Sequence, residues 1–263
     1  IKSMFDYCGL MYMNTSRSLF FTKGKEVLQI GSINAFIGSG DIFSQSPSEV
    51  QESNTGFGGT SSRHCNVTTE HGHFYLDYRD GVLYKAGGES GLVDVSNGIE
   101  VWLRDNMPFA LEEYGINLDS ADAEENGFYT DAPTALSTPI GFTMGYDPEF
   151  ARILITKREP VPTQAFLDDF QAGKIVIYNN IPYIINLDDD KCTDPTTIDT
   201  DEGSVDFTRQ KESQGTDGLD VYCGPIWFGN PKYFKQSGWT ISYYPQTNTW
   251  GSRHSYLPSL YTN

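Results

Sequence analysis

The order of apolar and polar positions along the chain is that of antiparallel β-hairpins. Five segments carry apolar, aromatic or β-branched residues on both sides of a turn cluster, which is the sequence form of a hairpin. The five are residues 18–30, 73–85, 144–157, 174–185 and 240–252. Their repetition predicts a mainly β fold, either an irregular propeller-like body of antiparallel hairpins with long loop insertions or, failing that, a large β-sandwich.

Two short segments have helical periodicity instead. Residues 97–107 begin with Asn97 and Glu100 in capping-box spacing, and Pro108 marks their end. Residues 162–171 have a cap at Thr163 and apolar positions on one face. Between the hairpins, residues 34–63 are rich in Gly and Ser and predict a long loop. We therefore expect one or two short helices, none longer than about four turns.

Composition is consistent with one β-rich domain over residues 1–263, or part of one. The 16 Tyr and 16 Phe far outnumber the 5 Met, a balance that suits strands better than helices. The sequence opens in an apolar segment without an initiator Met, and we expect it to be a piece of a longer polypeptide. Because no apolar run reaches about 18 residues, no membrane span is predicted.

The formal charge of −17 is concentrated in two acidic insertions. Residues 112–131 hold seven acids and no base, and residues 186–220 hold eleven acids and three bases, so together they account for −15. Charge blocks of this kind are typical of solvated surface loops. They would also suit a surface that repels a phosphate backbone, which binds to clustered Lys and Arg. General nucleic-acid binding is therefore not expected.

The best candidate metal ligands are two histidines in the second hairpin. His71 and His73 would point to one side of a strand, and His64 and Cys65 precede them. This spacing matches none of the known zinc sites. A structural role at the strand end is therefore the favoured interpretation, and no metal is predicted.

Acidic residues give no catalytic or calcium-binding pattern. The runs at residues 188–190 and 199–202 do not fit the EF-hand loop. Asp77 and Asp147 end two predicted strands and are interpreted as turn acids that accept hydrogen bonds from their own backbone. Glycoside hydrolysis needs two carboxyl groups at a fixed separation, which the sequence does not reveal. No catalytic residue, enzyme activity or cofactor is predicted.

Three further features have a structural interpretation. The glycine-rich stretches 38–41 and 56–59 lack the following helix that a phosphate site requires. The sequons Asn14-Thr15-Ser16 and Asn66-Val67-Thr68 would matter only in a secretory host. The cysteines lack C-x-x-C spacing and are expected to be free thiols: Cys8, Cys65, Cys192 and Cys223.

Five phrases stand in a characteristic order. The first is LFFTKGKEVLQIGS, followed by GSGDIF and a Pro. The others are SSRHCNVTTEHGHFYLDYRDGVLYK, LVDVSNGIEVWLRDNMP, GYDPEFARILITK and GWTISYYPQTNTWGSRHSYLPSLY. The series resembles the large tail proteins of crAss-like bacteriophages, the muzzle or tail-stabilisation proteins that close the far end of a short tail. The resemblance runs from about residue 19 to residue 261 and is interrupted in both acidic insertions.

This resemblance implies a structural protein of the virion tail. It implies a propeller-like body in a homo-oligomeric ring, expected to be sixfold, that contacts other tail proteins and takes part in genome retention and ejection. DNA would pass without specific binding, and contact with the host surface is left open.

Two other classes of protein remain as alternatives. One is a glycan-binding or glycan-cleaving surface protein, and the other is a secreted propeller that acts in adhesion. In the first, exposed indole rings would bind sugars, whereas large aromatic side chains are mostly buried in cores. The tryptophans in question are Trp102, Trp227, Trp239 and Trp250.

Overall fold

The fold is mainly β, as the sequence predicts. The computed structural model has 48% strand and 13% helix. It describes residues 1, 3–7, 10–23, 26–30, 33–37, 46–60, 62, 65–87, 91–116, 140–178, 181–185, 197–200, 203–206, 222–226, 228–258 and 261. Within these ranges the sheets are antiparallel, without a closed barrel or a propeller, and no helix is long and apolar enough to cross a membrane.

The elements follow one another as short strands with few helices. The strands are β1 (Ser3–Tyr7), β2 (Leu10–Asn14), β3 (Leu19–Lys23), β4 (Glu26–Ile30), β5 (Ile33–Ile37), β6 (Ser48–Glu49), β7 (Asn66–Thr69), β8 (Gly72–Asp77), β9 (Val82–Ala86), β10 (Leu92–Asp94), β11 (Gly141–Asp147), β12 (Arg152–Pro162), β13 (Ile175–Tyr178), β14 (Ile181–Ile185), β15 (Thr197–Thr200), β16 (Gly203–Asp206), β17 (Tyr222–Pro225), β18 (Phe234–Tyr244) and β19 (Thr249–His254). The helices are α1 (Glu100–Asn106) and α2 (Gln164–Gln171), with a 3-10 helix at Ala110–Tyr114.

By its contacts the chain divides into two compact units. Unit 1 comprises residues 1–108, 142–157 and 239–263, and unit 2 comprises residues 109–141 and 158–238. Three four-stranded sheets have most of their residues in unit 1: β1-β2-β3-β6, β10-β9-β8-β7 and β11-β12-β18-β19. The strands β4 and β5 pair with each other.

The core of unit 1 is rich in aromatic side chains. Tyr12, Leu19, Tyr75 and Tyr84 form a buried cluster between the first two sheets. On the opposite face of β8, the ring of Phe74 lies 5.9 Å from that of Tyr243 on β18. Burial of such large apolar surfaces is the main stabilising contribution in a fold of this kind.

Unit 2 contains α2, the 3-10 helix and two small sheets. The Thr163 hydroxyl caps α2 by accepting a hydrogen bond from the backbone N–H of Phe166, as predicted. Phe166 is buried, stacks on Phe170 and packs against Phe234. The sheets are β13-β14-β17 and the hairpin β15-β16, which lies within the second acidic insertion.

Four of the five predicted hairpins are present, and one is wrong. β8 pairs with β9, β11 with β12, β13 with β14, and β18 with β19. The predicted hairpin over residues 18–30 does not form, because β3 pairs on its two sides with β2 and β6. β4 pairs instead with β5 across a two-residue connection, so part of the predicted loop 34–63 is strand.

Helix α1 begins later than the sequence predicts. Its N-cap is Ile99, with no side-chain cap, and Asn97 lies outside the helix. Gly98, at a φ of 85°, places its backbone N–H against the Glu100 carboxylate at 3.0 Å. The predicted capping box is therefore replaced by this turn, while the end before Pro108 is confirmed.

A hydroxyl chain ties Tyr261 to strands β12 and β18 within unit 1. The Tyr261 hydroxyl lies 2.6 Å from the Thr156 hydroxyl, which lies 2.8 Å from that of Thr240. Tyr261→Phe removes one partner of the buried Thr156 and should lower the free energy of unfolding by about 1 kcal/mol. Urea denaturation measures this change, and an unchanged midpoint would contradict the role of the chain in stability.

Candidate functional site

Strand β8 carries two of the buried titratable side chains of unit 1, His73 and Asp77. All six of its residues are buried, so both faces of the strand are covered. His73, Tyr75 and Asp77 alternate with apolar residues and share one face. The Tyr75 hydroxyl donates a 2.7 Å hydrogen bond to the carbonyl of Gly58. Strand β8 therefore holds the first set of candidate functional side chains.

His73 is enclosed by aromatic and hydroxyl groups. Its ring stacks on that of Phe5 with centroids 3.4 Å apart, and its Nδ1 lies 2.8 Å from the Thr68 hydroxyl. Nε2 is buried and has no hydrogen-bond partner among the described residues. Burial lowers the pKa of His73 to about 3, because an imidazolium would lose its hydration. The ring is thus neutral near pH 7 and shielded from solvent.

Asp77 is a buried turn acid at the end of the same strand. Its Oδ1 accepts a 3.1 Å hydrogen bond from the backbone N–H of Arg79, which confirms the predicted turn role. Burial, with a smaller contribution from the negative charge of Asp80, raises the pKa of Asp77 to about 6. The carboxyl group is therefore near its titration midpoint at mildly acid pH.

The structure does not bring the predicted metal ligands together. His71 lies in the turn before β8, where its Nε2 is 3.4 Å from the Glu70 carboxylate, while His73 is enclosed in the core. Cys65 is buried and does not take part in a disulfide. No group of three or more His, Cys, Asp or Glu side chains able to hold a metal occurs among the described residues. His64 and the acidic run 188–190 lie outside them.

Two of the four tryptophans use their indole N–H groups within unit 1. Trp239 donates to the carbonyl of Asn106 at 3.1 Å, and Trp250 donates to that of Val95 at the same distance. Trp102 packs edge-on against Trp239, and Trp227 lies outside the described residues. These contacts favour packing over the sugar-binding role that the sequence left open.

The first glycosylation sequon is inaccessible in the folded chain. Asn14 is fully buried, and its Nδ2 donates a 3.1 Å hydrogen bond to the Ser3 hydroxyl. Attachment of a glycan would require β2 to leave the sheet. The second sequon begins at the half-buried Asn66 in β7.

Sequence reasoning missed a cluster around Arg152 at the start of β12. Its Nε donates to Asp147 Oδ2 at 2.9 Å, and its Cζ lies 4.6 Å from the centroid of the Phe150 ring. Asp147 also accepts a hydrogen bond from the backbone N–H of Phe150 at 3.4 Å, as expected for a turn acid. The sequence did contain one signal for this ion pair, because Asp147 and Arg152 lie five residues apart across a predicted turn. The cluster also includes side chains that only the fold brings close: Tyr244, His254 and Tyr256.

The acidic insertions are described only in part. Residues 112–114 belong to the 3-10 helix, where Tyr114 packs edge-on against Phe166 and Phe170. The first acidic insertion therefore begins in the packed framework of unit 2. Its residues 117–131 lie outside the described ranges, as does most of the second insertion apart from β15 and β16.

Comparisons with family models, with curated proteins and with solved structures each give no match to this chain.

Proposed function

We propose that this chain is a structural component of a bacteriophage tail, a muzzle or nozzle protein that closes the tail as a ring. The observation that carries the proposal is the location of the five resembling phrases. All five fall within unit 1, apart from Gly238 at its boundary, although unit 1 is assembled from three separate stretches of chain. Sequence phrases that are distant along the chain thus belong to one compact unit.

The sheets of unit 1 have the size of propeller blades. Blades are sheets of four antiparallel strands, usually joined by hairpins, and β7 to β10 follow one another in that way. The β11-β12-β18-β19 sheet also consists of four strands, two from each of two hairpins. This likeness supports a propeller-like body as the finer part of the proposal.

The buried polar side chains suit a scaffold better than a catalyst. His73 and Asp77 are enclosed in the core, and Lys157 is buried with its Nζ donating to the carbonyl of Pro108 at 2.7 Å. A general acid or base must reach its substrate within hydrogen-bond distance. Groups enclosed in this way position strands instead, which supports a non-enzymatic role.

The acidic insertions give the proposal its link to DNA. An acidic wall would let DNA move past without binding, because like charges repel at short range. In a tail ring we therefore place these insertions at the channel or in solvent, since burying many unpaired acids in a subunit contact would be costly.

Neutralising the first insertion tests this role of charge. The variant converts Asp119, Asp122, Glu124, Glu125 and Asp131 to Asn or Gln and leaves the described residues 112–116 intact. We expect an unchanged thermal midpoint and increased retention of duplex DNA by assembled rings at low salt, where charge effects are largest. DNA retention is measured by co-sedimentation.

A matched control removes the same charge from exposed acids of unit 1. Its targets are Glu52, Asp80, Glu100, Asp105 and Glu149, all exposed. This control should leave DNA retention unchanged. Equal retention by both variants would identify the insertion as an ordinary solvated loop and remove the support that it gives to the tail proposal.

A further inference from the structure

Two exposed aromatic side chains interact with one guanidinium group in unit 1, Phe150 by direct contact and Tyr256 electrostatically. Phe150 is 56% exposed and Tyr256 is 43% exposed, which is uncommon for rings of this size. Phe150 packs against the Arg152 guanidinium at 4.6 Å, and Tyr256 interacts with it electrostatically. Exposed aromatic faces with fixed polar neighbours are a common feature of binding surfaces.

The guanidinium at the centre is held in place. Asp147 accepts a hydrogen bond from its Nε at 2.9 Å, and Tyr244 contributes a favourable electrostatic interaction. The side chains of Arg152 and Asp147 are only 17% and 21% exposed. Because its rotamer is already fixed, Arg152 would lose little conformational entropy when a ligand binds.

His254 adds an uncharged hydrogen-bonding group. Its ring stacks on Tyr256 with centroids 5.1 Å apart, and its buried Nε2 has no hydrogen-bond partner among the described residues. Burial and the positive charge of Arg152 lower the pKa of His254, so the ring is neutral near pH 7. A neutral imidazole offers one donor and one acceptor.

The charge balance of the cluster indicates the kind of ligand. Arg152 and Asp147 neutralise each other and His254 is uncharged, so neither an anion nor a cation is strongly favoured. What fits is an uncharged molecule with an apolar face for the rings and hydroxyl groups for the polar side chains. The C–H face of a pyranose matches this description, because its weakly positive hydrogens complement the negative face of an aromatic ring.

We propose that Phe150, Arg152, His254 and Tyr256 form a binding site for a neutral saccharide. The sugar ring packs on the aromatic faces, and its hydroxyl groups bond to the guanidinium and to Asp147. The site does not depend on the proposed tail function, because it is built from side chains of unit 1 alone.

The test uses the whole chain and variants of its exposed rings. Wild-type protein is screened on an array of neutral bacterial glycans, and hits are titrated by saturation-transfer difference NMR as free trisaccharides. Phe150→Ser and Tyr256→Ser should each weaken binding at least tenfold. The matched control is Val101→Ser, an apolar side chain that is 61% exposed on α1 and should leave binding unchanged.

Thermal unfolding of each variant checks that the fold is retained, which we expect because both rings are exposed. The proposal is overturned if no neutral glycan binds, or if Phe150→Ser and Tyr256→Ser bind as the wild type does. It is also overturned if these variants change only the self-association of the chain, since the surface would then be a protein interface.

Discussion

Replacing His73 by Phe is expected to make the protein more resistant to acid. Between pH 6.5 and pH 4, the free energy of unfolding of the variant should fall by about 3 kcal/mol less than that of the wild type. The folded pKa of His73, about 3, lies below its ordinary value of 6.5. Its contribution to stability is therefore complete above pH 6.5 and is lost as the pH falls towards 3, since only the unfolded chain takes up the proton. Phe keeps the stack on Phe5 and cannot be protonated.

Urea denaturation of both proteins at pH 8, 6.5, 5 and 4 measures this difference. The control is His71→Asn, which removes the neighbouring histidine of the half-buried turn and should retain the loss of stability that His73 causes as the pH falls. If the free energies of unfolding of His73→Phe and of the wild type differed by the same amount at every pH from 8 to 4, His73 would not be held neutral in the folded state.

The second expected result has the opposite sign. Asp77→Asn should raise the free energy of unfolding at pH 8 by about 3 kcal/mol and change it by less than about 1 kcal/mol at pH 4. The folded pKa of Asp77, about 6, lies above its ordinary value of 3.8, so its favourable contribution is present below pH 3.8 and is lost as the pH rises through 6. Asn can still accept the hydrogen bond from Arg79.

The same urea series measures this change. Asp80→Asn serves as the control, because Asp80 is exposed in the same turn and contributes only a minor part of the shift at Asp77. A loss of stability at pH 8 in Asp77→Asn would mean that the carboxylate form is required in the folded protein. That result would contradict its burial as the dominant effect.

The two groups should largely cancel in the wild type. As the pH falls from 6.5 to 4, His73 destabilises the fold while Asp77 stabilises it by a similar amount. Each single variant removes one of the two opposing effects and reveals the other. A nearly flat wild-type profile flanked by two sloping variants would locate both effects in strand β8.

Much of the local structure follows from the sequence. Turn clusters such as Asp80-Gly81 fix a hairpin because glycine accepts the positive φ of 70° found there. Thr163 caps α2 for an equally local reason. The predicted hairpin over residues 18–30 shows the limit of such local signals. Strand β3 pairs with β2 and β6 and not with β4, the strand that follows it in the chain.

The candidate sites depend on contacts that are distant along the chain. The sequence predicts only a structural role at a strand end for His73. In the fold, Phe5 from β1 stacks on its ring. Arg152 and His254 are about a hundred residues apart, and only the sheet β11-β12-β18-β19 brings them close. Sequence alone gives residue types and turns, while the burial that shifts these pKa values arises from tertiary packing.

Electron cryomicroscopy of the protein in its native assembly tests the central proposal most directly. We expect a closed ring on the axis of a phage tail, sixfold in symmetry, with unit 1 built of blade-like four-stranded sheets. A protein found outside a virion, as a monomer or attached to a cell surface, would contradict it.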